Sequence, residues 1–324
     1  MKKRALVTGG TGFVGANLVR RLLREGWDVH LLVRPGHRPW RLEAVRNDLS
    51  WSEAELRDKD GVSRAIEKIR PARVFHLAAY GAYSWEEDPA RIIETNVLGV
   101  THLVQACVQA GVEALVNAGS SSEYGLRDHP PCEEETLEPN SYYAVGKASA
   151  SLFCRFASLQ HKVPITTLRL YSVFGPWEDP NRLMPTLVLA GRKGLLPPFV
   201  DPEIARDFVY VDDAVNAFLL AAEHRRLGEI FNVGSGRQTT IREVAAAARK
   251  VFGIEAEPEW SSMPNRRWDT GTWVADNTKI KKMLGWEPRV TMEQGLRRMV
   301  EWFAANPETV GTYERLCQRS DRIR

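Results

Sequence analysis

Ala5-Leu-Val-Thr-Gly-Gly-Thr-Gly-Phe-Val-Gly15 carries three signals in a fixed order. The apolar run Ala5–Val7 reads as a short buried strand, and it breaks into a turn with glycines at 9, 12 and 15. Phe13, Val14, Leu18, Val19, Leu22 and Leu23 then recur at helical spacing until Gly26 stops them. Strand, glycine turn and helix make a phosphate cradle. Without side chains the backbone N–H groups can approach a pyrophosphate, and the helix N-terminus adds its partial positive charge. The spacing is G-x-x-G-x-x-G, not the commoner G-x-G-x-x-G, and a second strand, Val29–Val33, follows. That context predicts dinucleotide binding at Gly9, Gly12 and Gly15.

The 324 residues suffice for one large domain or two joined ones. Hydrophobic residues make up 44% and charged residues 26%, an ordinary globular balance. A net charge of only +3 gives no electrostatic case for nucleic acid or an anionic membrane. No apolar run approaches the length of a membrane helix, and the basic start leads straight into a strand where a signal peptide would have its apolar stretch. Cys107, Cys132, Cys154 and Cys317 are scattered without a CxxC pair, which predicts neither a disulfide framework nor a metal site. A reducing cytoplasm is the expected setting.

The first half alternates strands and helices. A basic loop follows Val33, then a helix within Lys59–Lys68 and a strand over Arg73–Ala79. A long helix over Ala90–Ala110 precedes a strand at Ala114–Ala118, a helix over Tyr142–Gln160 and a strand at Ile165–Tyr171. Such alternation implies an α/β fold with a doubly wound parallel sheet and ligands at the carboxyl ends of its strands. From Gly175-Pro176 the texture changes to short, proline- and glycine-punctuated elements. Asp212 is expected to cap a helix, Glu229–Val233 reads as a late strand, and Thr240-Ile-Arg-Glu243 and Thr291-Met-Glu-Gln294 carry capping-box signatures. The expected division is 1–175 for the dinucleotide and 176–324 for a smaller, interleaved α/β substrate lobe, with a segment near 205–235 returning to the first.

Tyr143-Ala-Val-Gly-Lys147 places a phenol and an ammonium four residues apart, on one helical face. A nearby cation favours the phenolate. A phenol tuned in this way can move a proton at an alcohol oxygen while hydride moves at the adjacent carbon. Gly119-Ser-Ser-Ser-Glu-Tyr-Gly125 lies at a strand end, where a serine would hydrogen-bond the same oxygen.

With these residues in view, the chain resembles an extended short-chain dehydrogenase/reductase of the nucleotide-sugar epimerase/dehydratase family. The marks are Thr8–Gly15, His76-Leu-Ala-Ala79, Asn96-Val-Leu-Gly99, the serine strand end, Tyr143/Lys147, Arg206-Asp-Phe-Val-Tyr-Val-Asp-Asp213 and Asn232-Val-Gly-Ser-Gly236. The resemblance implies a Rossmann domain whose cofactor contacts include Thr11, Phe13, Val14, Leu77, Ala78 and Ala79. It makes Tyr143 the acid/base and gives Lys147 two tasks, lowering the Tyr143 pKa and binding the nicotinamide ribose. The catalytic serine falls on Ser120, with Ser121 as its alternative, and Asn96 supports the catalytic helix. Tyr80, Ser122, Glu123, Ser172, Arg182, Arg206, Arg266 and Asp269 fall on the substrate side. The guanidinium forks among them suit a diphosphate, while Arg267 is an equal candidate with Arg266.

Three departures from that pattern matter. Where NAD-using relatives place an acidic residue after the second strand, this chain has Arg34, followed by His37, Arg38 and Arg41. A guanidinium attracts a 2′-phosphate, which favours NADP(H) with NAD(H) open, although an exposed basic loop is the plainer reading. Glu55 and Leu56 fall where the family contacts adenine. Dehydratases follow the catalytic residue with an Asp-Glu pair, whereas here Ser121 and Ser122 stand, with Glu123 one step on. The spelling is closer to reductases of 4-keto-6-deoxy sugars, with epimerase and dehydratase still open. Ser172 replaces a common Asn. The late tryptophans Trp260, Trp268, Trp273 and Trp286 are expected mainly in packing. By the same resemblance, a homodimer through Ala90–Ala110 and Tyr142–Gln160 is expected.

Overall fold

In a computed structural model, which describes residues 3–83, 85–263 and 270–320, the glycine turn sits at the end of a central strand. The first half runs β1 (Arg4–Thr8), α1 (Phe13–Arg24), β2 (Asp28–Val33), β3 (Ser50–Glu53), α2 (Lys59–Ile69) and β4 (Arg73–His76). It continues with α3 (Pro89–Ile93), α4 (Gly99–Ala110), β5 (Ala114–Ser120), α5 (Tyr142–His161) and β6 (Ile165–Leu170). After these come β7 (Ser172–Phe174), α6 (Leu183–Gly191), β8 (Ala205–Arg206), β9 (Phe208–Tyr210), α7 (Val211–His224) and β10 (Ile230–Val233). The described chain closes with β11 (Thr239–Thr240), α8 (Ile241–Phe252), α9 (Thr278–Leu284), α10 (Met292–Ala305) and α11 (Pro307–Ser320).

Seven strands form one parallel sheet in the order β10-β6-β5-β4-β1-β2-β3. The order reverses between β1 and β4, the switch point where such sheets bind ligands. Burial follows the pleat. Ala5 and Val7 face the layer holding Leu18, Val19 and Phe218, while Leu6 faces Val62, Val100 and Leu103 on the other side. A sheet covered on both faces needs nearly continuous apolar strands, and β1, β5 and β10 have them. β7 pairs with β9 and β8 with β11 in two small outlying sheets.

Several expectations shift. The loop after β2 contains a 3-10 turn (Trp40–Asp48) and then β3, whose Ser-Trp-Ser-Glu sequence has no buried residue. An edge strand this polar leaves no hydrophobic pattern to read. The long helix is interrupted by one π turn, Glu94–Leu98, and the strand expected over Arg73–Ala79 stops at His76. Asp212 does not cap α7, whose N-cap position is Tyr210 without a side-chain bond. Its neighbour Asp213 is buried instead and accepts from the Arg289 and Val290 amides, each at 3.0 Å. Thr240 and Thr291 do form capping boxes. Trp286 is core, donating to the Asp213 carbonyl, and Trp260 packs on Phe199.

Candidate active site

At the end of β1 the turn is shaped by what cannot fit. Gly9 has φ +69, and a Cβ there would lie 2.5 Å from the Ala78 nitrogen and the Leu77 carbonyl carbon. A Cβ on Gly15 would stand 2.2 Å from the Gly9 oxygen. Gly12 donates to the Gly9 carbonyl at 3.0 Å and forms the N-cap of α1 without any side-chain bond. The amides of Phe13 and Val14 therefore open the helix beside Thr11, with the Leu77 and Ala78 backbone just after β4 pressed against the turn. A turn stripped of side chains at a helix N-terminus fits a dinucleotide's diphosphate.

Two strands along, β5 ends on Ser120, in extended backbone with φ −147. Its hydroxyl accepts from the Ser122 amide at 3.2 Å and shares a 2.8 Å bond with the Ser122 hydroxyl, and it acts on the Tyr143 phenol from close by, favouring the ionised form. Tyr143 lies in the first turn of α5, whose N-cap Ser141 accepts from the Ala144 amide at 3.2 Å. Burial pushes the Tyr143 phenol up to about 12; the Ser120 hydroxyl and the positive charge of Arg182 pull it back, and Glu123 pushes it further up. Lys147, one turn on, is buried and donates to the Ala118 carbonyl at 2.8 Å. Its ammonium lies 5.9 Å from the Tyr143 ring centre. Burial lowers it to about 8, against the pull of Glu123. Lys147 directs one proton at a β5 carbonyl, and the positive charge of Arg182 also favours the phenolate.

Asn96 sits within the π turn, and the extra backbone residue there swings its amide onto the loop after β4. It accepts from the Tyr80 amide at 2.9 Å and donates to the Tyr80 carbonyl at 2.7 Å. Since its side chain is consumed by that loop, Asn96 acts as a brace. A Cβ on Gly81 would lie 3.5 Å from the Tyr143 Cβ, so the braced loop passes beside the root of the Tyr143 side chain. His76 is buried beneath, bonded to Thr8 at 2.7 Å and driven down to about 3 by burial and then by Lys147.

Glu123 requires correction. It is fully buried under the serine turn, accepting from the Ser120 amide at 2.8 Å and pairing with Arg169 at 2.8 Å, so it offers nothing to a substrate. Ser120-Ser-Ser-Glu123 has the same capping-box spacing as Thr240 and Thr291, the signal that would have found this role. Arg41 is likewise no candidate for a 2′-phosphate. Its guanidinium is buried on Trp40 and bonded to the Trp177 carbonyl at 2.6 Å and the Thr11 carbonyl at 3.4 Å. Leu56 turns its side chain into the core under α2 and α4, so an adenine contact there falls to its backbone.

The remaining residues fall at the rim. Arg34 and Arg38 are exposed beyond β2, while His37 stacks on Trp51 at 5.3 Å. Glu55 is half-buried beside Arg57, and Ala79 is exposed after β4. Ser121 is buried on the serine turn, and Ser172 lies half-buried on β7. Arg182 reaches the Ala82 carbonyl at 3.4 Å over the Tyr83 ring. Arg206 projects over Trp273 at 5.7 Å and donates to the Ala205 carbonyl. Arg266 and Asp269, with Arg267 and Trp268, lie outside the described residues. Among the described residues no acid, histidine and cysteine cluster suits a metal.

A family model described as the NAD-dependent epimerase/dehydratase family matches residues 5–234, from the glycine turn through β10. The chain belongs to this family. It is an enzyme of the extended short-chain dehydrogenase type. A UDP-glucose 4-epimerase of Mycolicibacterium smegmatis is 32% identical over 312 residues, covering 93% of this chain and 98% of that protein. The crystal structure of a UDP-glucose 4-epimerase from Thermotoga maritima with UDP-glucose superposes with TM-score 0.84 at 30% identity, covering 94% of this chain and 99% of that one. A Thermus thermophilus UDP-glucose 4-epimerase in complex with NAD gives TM-score 0.81 at 32% identity, covering 93% and 99%. The glycine cradle measured above is consistent with a nicotinamide dinucleotide as the group this family uses.

Proposed function

We propose that this enzyme reduces the 4-keto group of a 4-keto-6-deoxy nucleotide-diphosphate sugar, with NADPH as reductant and Tyr143 as proton donor. When bound, the nicotinamide supplies the hydride. Tyr143 delivers the proton to the sugar oxygen, Ser120 hydrogen-bonds that oxygen and holds it in line, and Lys147 faces the ribose side. One observation carries the reading: Glu123, the sole carboxylate on the serine turn, is buried and locked in an ion pair beneath Ser120, leaving the hydroxyls of Ser120 and Tyr143 as the groups for proton transfer. That combination disfavours dehydration, which needs an accessible acid beside the serine. Arg34 and Arg38, exposed at the end of β2, support the phosphorylated cofactor. Arg182 and Arg206 are the guanidinium groups on which a diphosphate would be held, with Arg266 and Asp269 kept as sequence-based candidates.

A second reading, 4-epimerisation with retained cofactor, uses the same hydroxyl pair and is favoured by the UDP-glucose 4-epimerase relatives. The experiment that separates them offers dTDP-, GDP-, UDP- and CDP-linked sugars with and without NADPH. Stoichiometric NADPH loss with a 4-keto sugar supports reduction. Interconversion of 4-hydroxy sugars without net redox change supports epimerisation, and a 4-keto product from a 4-hydroxy sugar would return dehydration. We further infer a homodimer built on α5 and the π turn, since Tyr142, Leu152, Phe156, Leu159 and Leu98 are between 45% and 64% exposed along that face. A cytoplasmic setting suits the four free cysteines.

A further inference from the structure

Beneath the serine turn lies a buried charge pair that the reaction as described does not use. Glu123 sits at the third position of the turn, fully buried, and its carboxylate reaches in two directions. One oxygen accepts from the Ser120 amide at 2.8 Å. The other accepts from Arg169 Nε on β6, also at 2.8 Å. Arg169 is itself buried, and its Nη1 donates to the Tyr124 hydroxyl at 2.8 Å and the Glu133 carbonyl at 3.3 Å. The chain of bonds ends on β10, where the Tyr124 hydroxyl donates to Asn232 at 2.7 Å.

The strand register shows why the pair fits there. Gly119 is the β5 partner of Arg169, and a Cβ on it would stand 2.7 Å from the Glu123 carboxylate and 3.3 Å from the Arg169 side chain. The missing side chain one residue before Ser120 therefore makes the space that the ion pair occupies. A buried pair of this kind adds little net stability over a well-packed apolar pair, yet breaking one partner is costly. Such a pair tends to persist where it fixes geometry.

We propose that Glu123, anchored by Arg169, is a positioning residue that fixes Ser120 against Tyr143 and sets the electrostatic field in which the phenol exchanges its proton. This rests on the assignment of Ser120 and Tyr143 above. The geometry is specific. With its amide held by Glu123, Ser120 keeps the extended backbone of a strand, and its hydroxyl is aimed by the Ser122 amide and hydroxyl. Without that grip the strand end is free to fray, and the hydroxyl loses its line to the phenol.

The field has a definite sign. The charged and titratable groups coupled to Glu123 are Arg169 from β6 and Lys147, Tyr143 and Cys154 from α5, while Tyr124 of the turn and Glu133 beyond it meet Arg169. Burial pushes the Glu123 carboxyl up, and the paired Arg169 guanidinium pulls it back toward the ionised form, whose charge raises both Lys147 and Tyr143. Removing that charge lowers both, so the limb of the pH–rate profile set by Tyr143 moves to lower pH. The direction is the same whether the phenol gives or takes the proton.

The test uses the full-length enzyme with Glu123→Gln, which keeps an acceptor for the Ser120 amide but not the charge. Its companion is the double variant Glu123→Leu/Arg169→Met, which replaces the pair by apolar groups and stays foldable if the single variant does not. The expected result is at least a tenfold loss in kcat for both, with sugar KM and dinucleotide affinity within about twofold of the parent and the pH limb shifted down. A folded variant with unchanged kcat and an unchanged limb would overturn the proposal. So would equal losses in kcat and cofactor affinity, which mean general loosening. Tyr143→Phe run in parallel separates this from the reading beneath it. If that variant still turns over, the catalytic assignment has failed; if it is dead while the Glu123 variants are normal, only the positioning role has.

Discussion

The ends of β1 and β5 lie on the same edge of one sheet and are built in opposite ways. At β1 side chains are excluded: Gly9 and Gly15 bring backbone so close that a single methyl group would strike a carbonyl or an amide. At β5 side chains are crowded together. Ser120, Ser122, Lys147, Glu123 and Arg169 fill the space beside Tyr143, each with a hydrogen-bond partner. A bound anion is recognised through amides that need no tuning, so the first end requires only room. Proton transfer needs a particular hydroxyl with a particular pKa, so the second requires a scaffold of polar contacts.

Altering the two ends should therefore have separable effects. The largest comes from Tyr143→Phe, which removes the acid/base and should cut turnover by about 10²–10⁴-fold, with dinucleotide binding measured by fluorescence nearly unchanged. Next is Gly15→Val at the other end. Overpacking against the Gly9 carbonyl should abolish detectable dinucleotide binding and destabilise the fold by about 1–3 kcal/mol in a denaturant titration. If that variant binds cofactor normally, the cradle has been misplaced. Arg34→Asp is a smaller perturbation at an exposed site. It should move the NADPH/NADH preference by about tenfold toward NADH, a ratio read from paired Kd values, because one charge within a Debye length of a 2′-phosphate is only partly screened.

The last effect is on stability and is felt only in acid. His76, neutral in the fold with its pKa near 3, takes up no proton as pH falls below its ordinary value of 6.5, whereas the unfolded chain does. Its contribution is complete above pH 6.5 and drains away toward pH 3, at about 1.4 kcal/mol per pH unit. A His76→Gln variant should flatten that part of the stability profile.

How much could be read in advance divides along the same line. The β1 end was fully legible, because exclusion of side chains is written as glycine at three local positions and the helix follows at once. Tyr143 and Lys147 were legible for a similar reason, being four apart on one helix. The partners of the serine turn were not, since Glu123 and Arg169 are 46 residues apart in sequence and meet only through strand register. Without that contact Glu123 reads as a substrate acid. Arg41 misleads in the same way: it belongs to a basic run by sequence, yet its guanidinium turns inward to carbonyls 30 and 136 residues away. β3 escaped notice because a polar edge strand has no apolar alternation to reveal it. The family resemblance supplied what local patterns could not, namely that the two strand ends serve one reaction.

The most direct measurement of that joint role follows the hydride. The purified enzyme would be mixed with a 4-keto-6-deoxy nucleotide sugar and NADPH deuterated at nicotinamide C4, and the product examined by mass spectrometry and NMR. The account predicts one deuterium at sugar C4, one NADPH consumed per sugar reduced, and loss of both in Tyr143→Phe. No deuterium in the sugar, with NADPH unconsumed across all four nucleotides, would contradict it.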